Sequence, residues 1–214
     1  MNIMDHNLAA VDYHAMHNTH VSSSMLSHLK RSPAHLKYVM ENPEPPTPQM
    51  ITGSIIHTAV LESDVFNTTY VRAPEGDRRR KETKLAYAEL EEEGWEKDHI
   101  LTPASYDQAI GMREAIESHP IASKLLLTGY GVPTEISLLW TDERTGVKCR
   151  GRADALPDRN RIVDYKTTTD ASAEKFSRSV HSFGYHRQGS FYMQGINTIE
   201  DIPTTREFII VAQE

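Results

Sequence analysis

With 214 residues, 38% hydrophobic and 25% charged, the chain can bury one sizeable core and is not compositionally disordered. No apolar run reaches the ~18–20 residues that cross a bilayer, and a lone cysteine, Cys149, excludes a disulfide framework, a zinc finger and an all-cysteine iron–sulfur cluster. A net charge of −7 excludes a protein that coats nucleic acid through general positive charge, but not an enzyme with a bound divalent cation and a local basic groove.

The opening MNIMDHNLAA lacks a basic segment followed by an apolar run, so no secretory signal is read and a cytoplasmic protein is expected. The polar leader shows no clear helix. Residues 21–42 predict a Ser-capped helix with Met25, Leu26 and Leu29 on one face, then a second helical segment from Pro33. PEPPTPQ (43–49) reads as a connector, because proline removes donors and fixes φ. A helix over 52–62 (TGSIIHTAVLE) follows, then a charged loop and an exposed helix within 72–100. Thr102-Pro103 is a helix start, with the helix running to about Glu117, and a short helix at 121–127 should end at Gly129.

From residue 134 the pattern changes to a three-strand meander: TEISLLW, VKCRGRADAL and RIVDYKTT, separated by the turns TDERTG and PDRNR. Residues 171–196 read as helix broken near Gly184, and REFIIVAQ (206–213) as a closing strand inside a sheet. The expected class is α/β or α+β, one domain over 1–214 with a mainly helical part (1–130) and a sheet core (131–214).

Side chains alternate faces along a strand. On 147–156, Val147, Cys149, Gly151, Ala153 and Ala155 share a small apolar face, opposite Lys148, Arg150, Arg152 and Asp154. On the next strand Asp164 and Lys166 point away from Val163 and Tyr165, with Cα atoms roughly 6–7 Å apart. Pairing through PDRNR lets Asp154 approach that polar face. Two carboxylates and an ammonium suit phosphodiester hydrolysis. The carboxylates hold Mg²⁺, for which Mn²⁺ substitutes, and the cation polarises the phosphate and acidifies a bound water. The lysine stabilises developing charge or positions the water. The bland alternative is a surface Asp–Lys pair on an amphipathic hairpin. Gln188 and Tyr192 lie four apart on one helix face that Tyr185 and His181 extend; by themselves they read equally as a partly buried Tyr and a satisfied Gln. His57, among Ile55, Ile56, Val60 and Leu61, reads alone as a core histidine.

GxxxH at Gly53–His57, GRAD at 151–154, DYKTT at 164–168 and QxxxY at 188–192 appear in the order found in RecB-like PD-(D/E)XK nucleases. The chain resembles most closely the exodeoxyribonuclease VIII (RecE-type) nuclease domain of phages and prophages, also through DYHA (12–15), HTAVLE (57–62), VRAPEGDRRR (71–80) and KCRGRAD (148–154). That resemblance implies a restriction-endonuclease-like core, a central mixed sheet flanked by helices. It implies His57, Asp154, Asp164 and the Tyr165 carbonyl as metal ligands, Lys166 as the catalytic lysine, Gln188 and Tyr192 as a supporting motif, and Glu135 as an acidic neighbour. The implied activity is processive 5′→3′ digestion of double-stranded DNA, leaving a 3′ single strand for an annealing protein. A ring-like homotetramer is also implied, as is further helical sequence after Glu214, so a C-terminally truncated chain is expected.

His14, His17 and His20 recur every three residues, but eleven histidines make chance spacing common and no second metal site is read. Arg78, Arg79 and Arg80 form the basic run, either a solvated loop or a phosphate contact; Arg150 and Arg152 are better placed to meet the DNA backbone. Ser22, Ser23 and Ser24 serve as a helix cap. Rival readings are a single-strand nuclease of the CRISPR-associated or AddB kind, which usually needs four cluster cysteines, a restriction-type endonuclease, or an inert DNA-binding module.

Overall fold

The computed structural model describes residues 2–77 and 79–214. They form two compact units, one of residues 1–46 with 124–214 and one of residues 47–123. The first 46 residues thus cluster with the sheet rather than with the helical segment that follows them.

The leader is not structureless. Strand β1 (Ile3–Asp5) and the short helix α1 (Ala10–Ala15) precede a 3₁₀ turn at Met16–Asn18. A six-residue helix is marginal alone. The Arg150 guanidinium stabilises α1 by donating to the Tyr13 and His14 carbonyl oxygens at its end. Helix α2 (Ser23–Leu29) follows, and the Ser22 hydroxyl bonds the Ser24 hydroxyl (3.0 Å) instead of capping the backbone. Helix α3 (Pro33–Glu41) has the cap that α2 lacks, since Ser32 accepts the His35 N–H at 3.0 Å.

In the second unit, α4 (Pro48–Leu61) starts four residues earlier than Thr52. Thr47 accepts the Met50 N–H (3.3 Å) and Pro48 occupies the first turn, where its missing N–H removes nothing. Part of the proline-rich connector is therefore a helix start. Helix α5 (Ser63–Thr69), strand β2 (Val71–Arg72), exposed helix α6 (Lys81–Glu92), strand β3 (Ile100–Leu101) and α7 (Pro103–Ser118) complete the unit, with β2 and β3 parallel. Thr102 caps α7 as expected, accepting the Ser105 N–H at 3.2 Å. Ala59, Leu61, Phe66, Ala109 and Ile116 are buried, and Phe66 meets the rings of Tyr70 and Tyr106 at 5.3 and 5.4 Å.

Helix α8 (Ala122–Leu126) ends three residues short of Gly129 and leads to the expected meander. Its strands are β4 (Thr134–Thr141), β5 (Lys148–Asp158) and β6 (Arg161–Thr167). Helices α9 (Ala173–Phe183) and α10 (Tyr185–Glu200) then carry the chain to β7 (Glu207–Gln213). Gly184 separates the helices with φ of 73°, a left-handed conformation that favours glycine. The described residues build a mixed sheet of order β1-β4-β5-β6-β7, antiparallel throughout except for the parallel β6–β7 pair.

Alternation decides which face of this sheet is greasy. Ile136, Leu138 and Trp140 sit opposite Ala153, Gly151 and Cys149, and with Ile162, Tyr192 and Ile196 they make the core beneath α10. Small residues let the helix sink onto the strands. A Cβ on Gly195 would meet Trp140 at 2.8 Å, and one on Gly151 would meet the Tyr192 ring at 2.8 Å. No described helix is long and apolar enough to cross a membrane.

Candidate active site

The site grows out of the β5–β6 pair. Period-2 alternation on β6 puts Asp164 and Lys166 side by side, and the Lys166 ammonium lies 2.6 Å from Asp164 Oδ2. Asp164 has no exposed surface. Asp154 stands just before the register of β5 against β6 shifts, between Ala155 and Asp158. Its Oδ2 accepts the Tyr165 N–H at 2.7 Å, which ties the two acidic strands together between Asp164 and Lys166. The expected convergence of Asp154, Asp164 and Lys166 is thus present.

Helix α10 supplies the roof. Gln188 Nε2 donates to Asp164 Oδ1 at 2.8 Å and lies 3.2 Å from the Tyr192 hydroxyl, so the i, i+4 pair acts on the acid as one unit. Both oxygens of Asp164 are then oriented, one by Lys166 and one by Gln188. Tyr185, at the start of α10, places its ring 5.2 Å from Lys166 Nζ, a cation–π distance.

Glu135 enters from β4. One of its oxygens is within 4.8 Å of an Asp154 oxygen, and Arg152 Nε donates to Glu135 Oε2 at 2.6 Å. Its φ of 53° is left-handed inside a strand, a strain of about 1–3 kcal/mol for a residue with a side chain. The ladder pairs Thr134 with Ala155 and Ile136 with Ala153, and the twist between them falls on Glu135. Strain of this kind persists where neighbours fix it, here the Arg152 ion pair.

Burial pushes the Asp154 carboxyl up, against the Lys166 charge, the Tyr165 N–H and Arg152. Burial also works to lower Lys166, but Asp154 and Asp164 outweigh it and hold the ammonium above its ordinary value. Tyr192 is raised well above the phenol range, chiefly by burial, and stays a neutral hydroxyl. Three carboxylates (Glu135, Asp154, Asp164) against two cations (Arg152, Lys166) leave one excess negative charge in a mostly buried cluster. Glu135, Asp154 and Asp164 offer oxygen donors, which hard divalent cations prefer. These residues fit such an ion.

Not every arginine expected to meet DNA is free to do so. Arg150 was expected to meet the DNA backbone, yet it is 5% exposed, its head spent on the Tyr13 and His14 carbonyls and over the Tyr13 ring at 4.7 Å. It is a structural clamp, because α1 covers the strand face that alternation alone leaves open. Arg152 is committed to Glu135 and the Leu8 carbonyl. Arg79 is exposed and paired with Asp77 at 2.9 Å, Arg80 is exposed at the start of α6, and Arg78 lies outside the described residues. His57 is half-buried on α4. His17 bonds the Met40 carbonyl and His20 the Thr19 hydroxyl, each at 2.9 Å. Sequence reasoning missed Tyr13, whose partner Arg150 is 137 positions away, and underused Tyr185, whose place one turn before Gln188 was the available signal.

An acid on one strand, Asp-Tyr-Lys on the next and a helix returning over both is the arrangement that defines the PD-(D/E)XK class. Residues 22–214 match the PDDEXK-like domain of unknown function (DUF3799), and the chain belongs to that family. No curated protein matches it. Membership points to nuclease-type chemistry that uses a divalent metal.

Proposed function

We propose that the protein is an Mg²⁺-dependent exonuclease of the exodeoxyribonuclease VIII (RecE) type, hydrolysing linear duplex DNA 5′→3′ and leaving 3′ single strands for recombination. The supporting observation is the buried Asp154–Asp164–Lys166 group locked by Gln188. Asp154, Asp164 and the Tyr165 carbonyl hold the cation, with Glu135 beside them and His57 added on the order of its motif. The bound ion supplies Lewis-acid polarisation of the phosphate and a more acidic water.

The chain's own groups do the rest. Lys166, kept cationic by its two carboxylates, neutralises charge that grows on the phosphate oxygens. Gln188 keeps Asp164 from rotating, and Tyr192 keeps Gln188 aimed. Arg79, Arg80 and Arg78 serve as outlying phosphate contacts. Cytoplasmic placement, a ring-like tetramer and a single-strand annealing partner belong to the same proposal, on the resemblance alone.

The test is digestion of end-labelled linear duplex beside closed circular DNA, with Mg²⁺ or Mn²⁺ and with EDTA. Loss of the linear form from its 5′ ends, only with metal, is expected. Survival of linear DNA at every protein level refutes the enzyme; cleavage of the circle refutes the need for an end.

A further inference from the structure

The turn between α9 and α10 carries rings that the chemistry above leaves unused. Phe183 stacks on Tyr185 with centroids 5.7 Å apart and planes 25° apart, and Phe176 lies 6.1 Å from Tyr185 at 30°. A single exposed phenylalanine needs no explanation. Here two of the three rings sit on α9, which buries none of its residues and leaves Phe183 67% exposed, and the third, Tyr185 at the start of α10, lies 5.2 Å from the Lys166 ammonium. Gly184 provides the left-handed step that brings rings from both sides of the turn together.

Charge narrows the choice of partner. Acidic residues are 30 of 214, about one in seven, yet Lys175 to Ile199 contains none. The same stretch holds Lys175, Arg178 and Arg187, with His181 and His186 stacked at 6.3 Å beside the rings. Lys175 and Arg178 are paired with Asp170 and Glu174, on the N-terminal half of α9 and its approach. An acid-free stretch of chain that presents one exposed ring stacked on a half-buried one, next to the Lys166 ammonium, suits a polyanion that has π-faces of its own. A nucleic acid strand with an unpaired base is that ligand, and base–aromatic stacking tolerates any sequence.

We propose that Phe183 and Tyr185 form a stacking platform for an unpaired nucleobase at the end of the strand to be cut. It holds the frayed nucleotide beside Lys166, so that the backbone phosphate next to it enters the carboxylate site. The platform rests on the nuclease reading above and adds how a duplex end is recognised without reading sequence.

Duplexes ending in a short single-stranded extension provide the test, with either a normal or an abasic terminal nucleotide. Affinities are measured in EDTA at fixed salt, by anisotropy, for the wild type, Phe183→Ala and Phe183→Trp. The wild type should prefer the base-bearing end by about tenfold, within the ~5–150-fold expected of one stacked base. Phe183→Ala should lose that preference and Phe183→Trp should keep it. Equal wild-type affinity for the two ends overturns the platform, as does a Phe183→Ala variant that still discriminates. A change of oligomeric state in Phe183→Ala with discrimination intact also overturns it, and gives the face to a second copy of the chain. Digestion of linear duplex by the wild type in Mg²⁺ is scored separately. DNA left uncut while end discrimination persists removes the nuclease reading and leaves a DNA-end-binding site.

Discussion

Lys166 owes its charge to its neighbours. Burial favours a neutral amine, and chiefly the paired carboxylates reverse that. Lys166→Ala should therefore leave duplex binding in EDTA nearly intact while metal-dependent cutting falls about 100–1000-fold, the usual loss of one preorganised electrostatic group. Unchanged cutting would remove Lys166 from the mechanism. The Asp154–Asp164–Lys166 set was legible because a two-residue period maps directly onto a face of a strand. Arg150 was misjudged by the same rule. Alternation says which way a side chain points, not what lies over it, and here Tyr13 and His14 do. Nor could sequence announce the left-handed Glu135, since glutamate carries no preference for that conformation.

At the scale of elements, α10 is held close by what its glycines omit. Gly195→Ala sets a methyl 2.8 Å from Trp140 and should cost about 1–3 kcal/mol, read as a lower urea midpoint. Gly111, within α7, has nothing within 4 Å of its missing Cβ, so Gly111→Ala should stabilise by about 0.5–1 kcal/mol. If both variants move the midpoint the same way, close packing is not what Gly195 serves. The meander and the α9–α10 break were readable because turn residues and alternation agree there. β1, β2 and β3, of two or three residues each, are too short to show a period. The start of α4 was missed for a different reason: Pro48 looks like a breaker and is in fact a first-turn residue.

For the whole molecule, cation binding couples the site to stability. An ion that binds only the folded chain adds about 2.7 kcal/mol at a hundred times its Kd. Mg²⁺ should raise the melting temperature of the wild type, and Asp164→Asn should erase most of that rise. An equal rise in both would place the ion elsewhere. Arg150→Met tests the N-terminal clamp. It leaves the Tyr13 and His14 carbonyls without their donor and should cost about 1–3 kcal/mol, while the wild type keeps α1 protected in hydrogen exchange.

That clamp also bears on the order in which the molecule can be made. β1 pairs Ile3 with Leu139, and α1 waits for Arg150. At about 5–20 residues per second, the first residues leave the ribosome roughly 7–30 s before the strands that receive them. Until then the leader is an unattached thread and the Leu139 edge of the sheet does not exist. Closing the sheet on that side is therefore a late event, slow in the way that distant pairings are slow. A nascent chain stalled before β5 should expose its first 20 residues to protease, and one released after β6 should protect them.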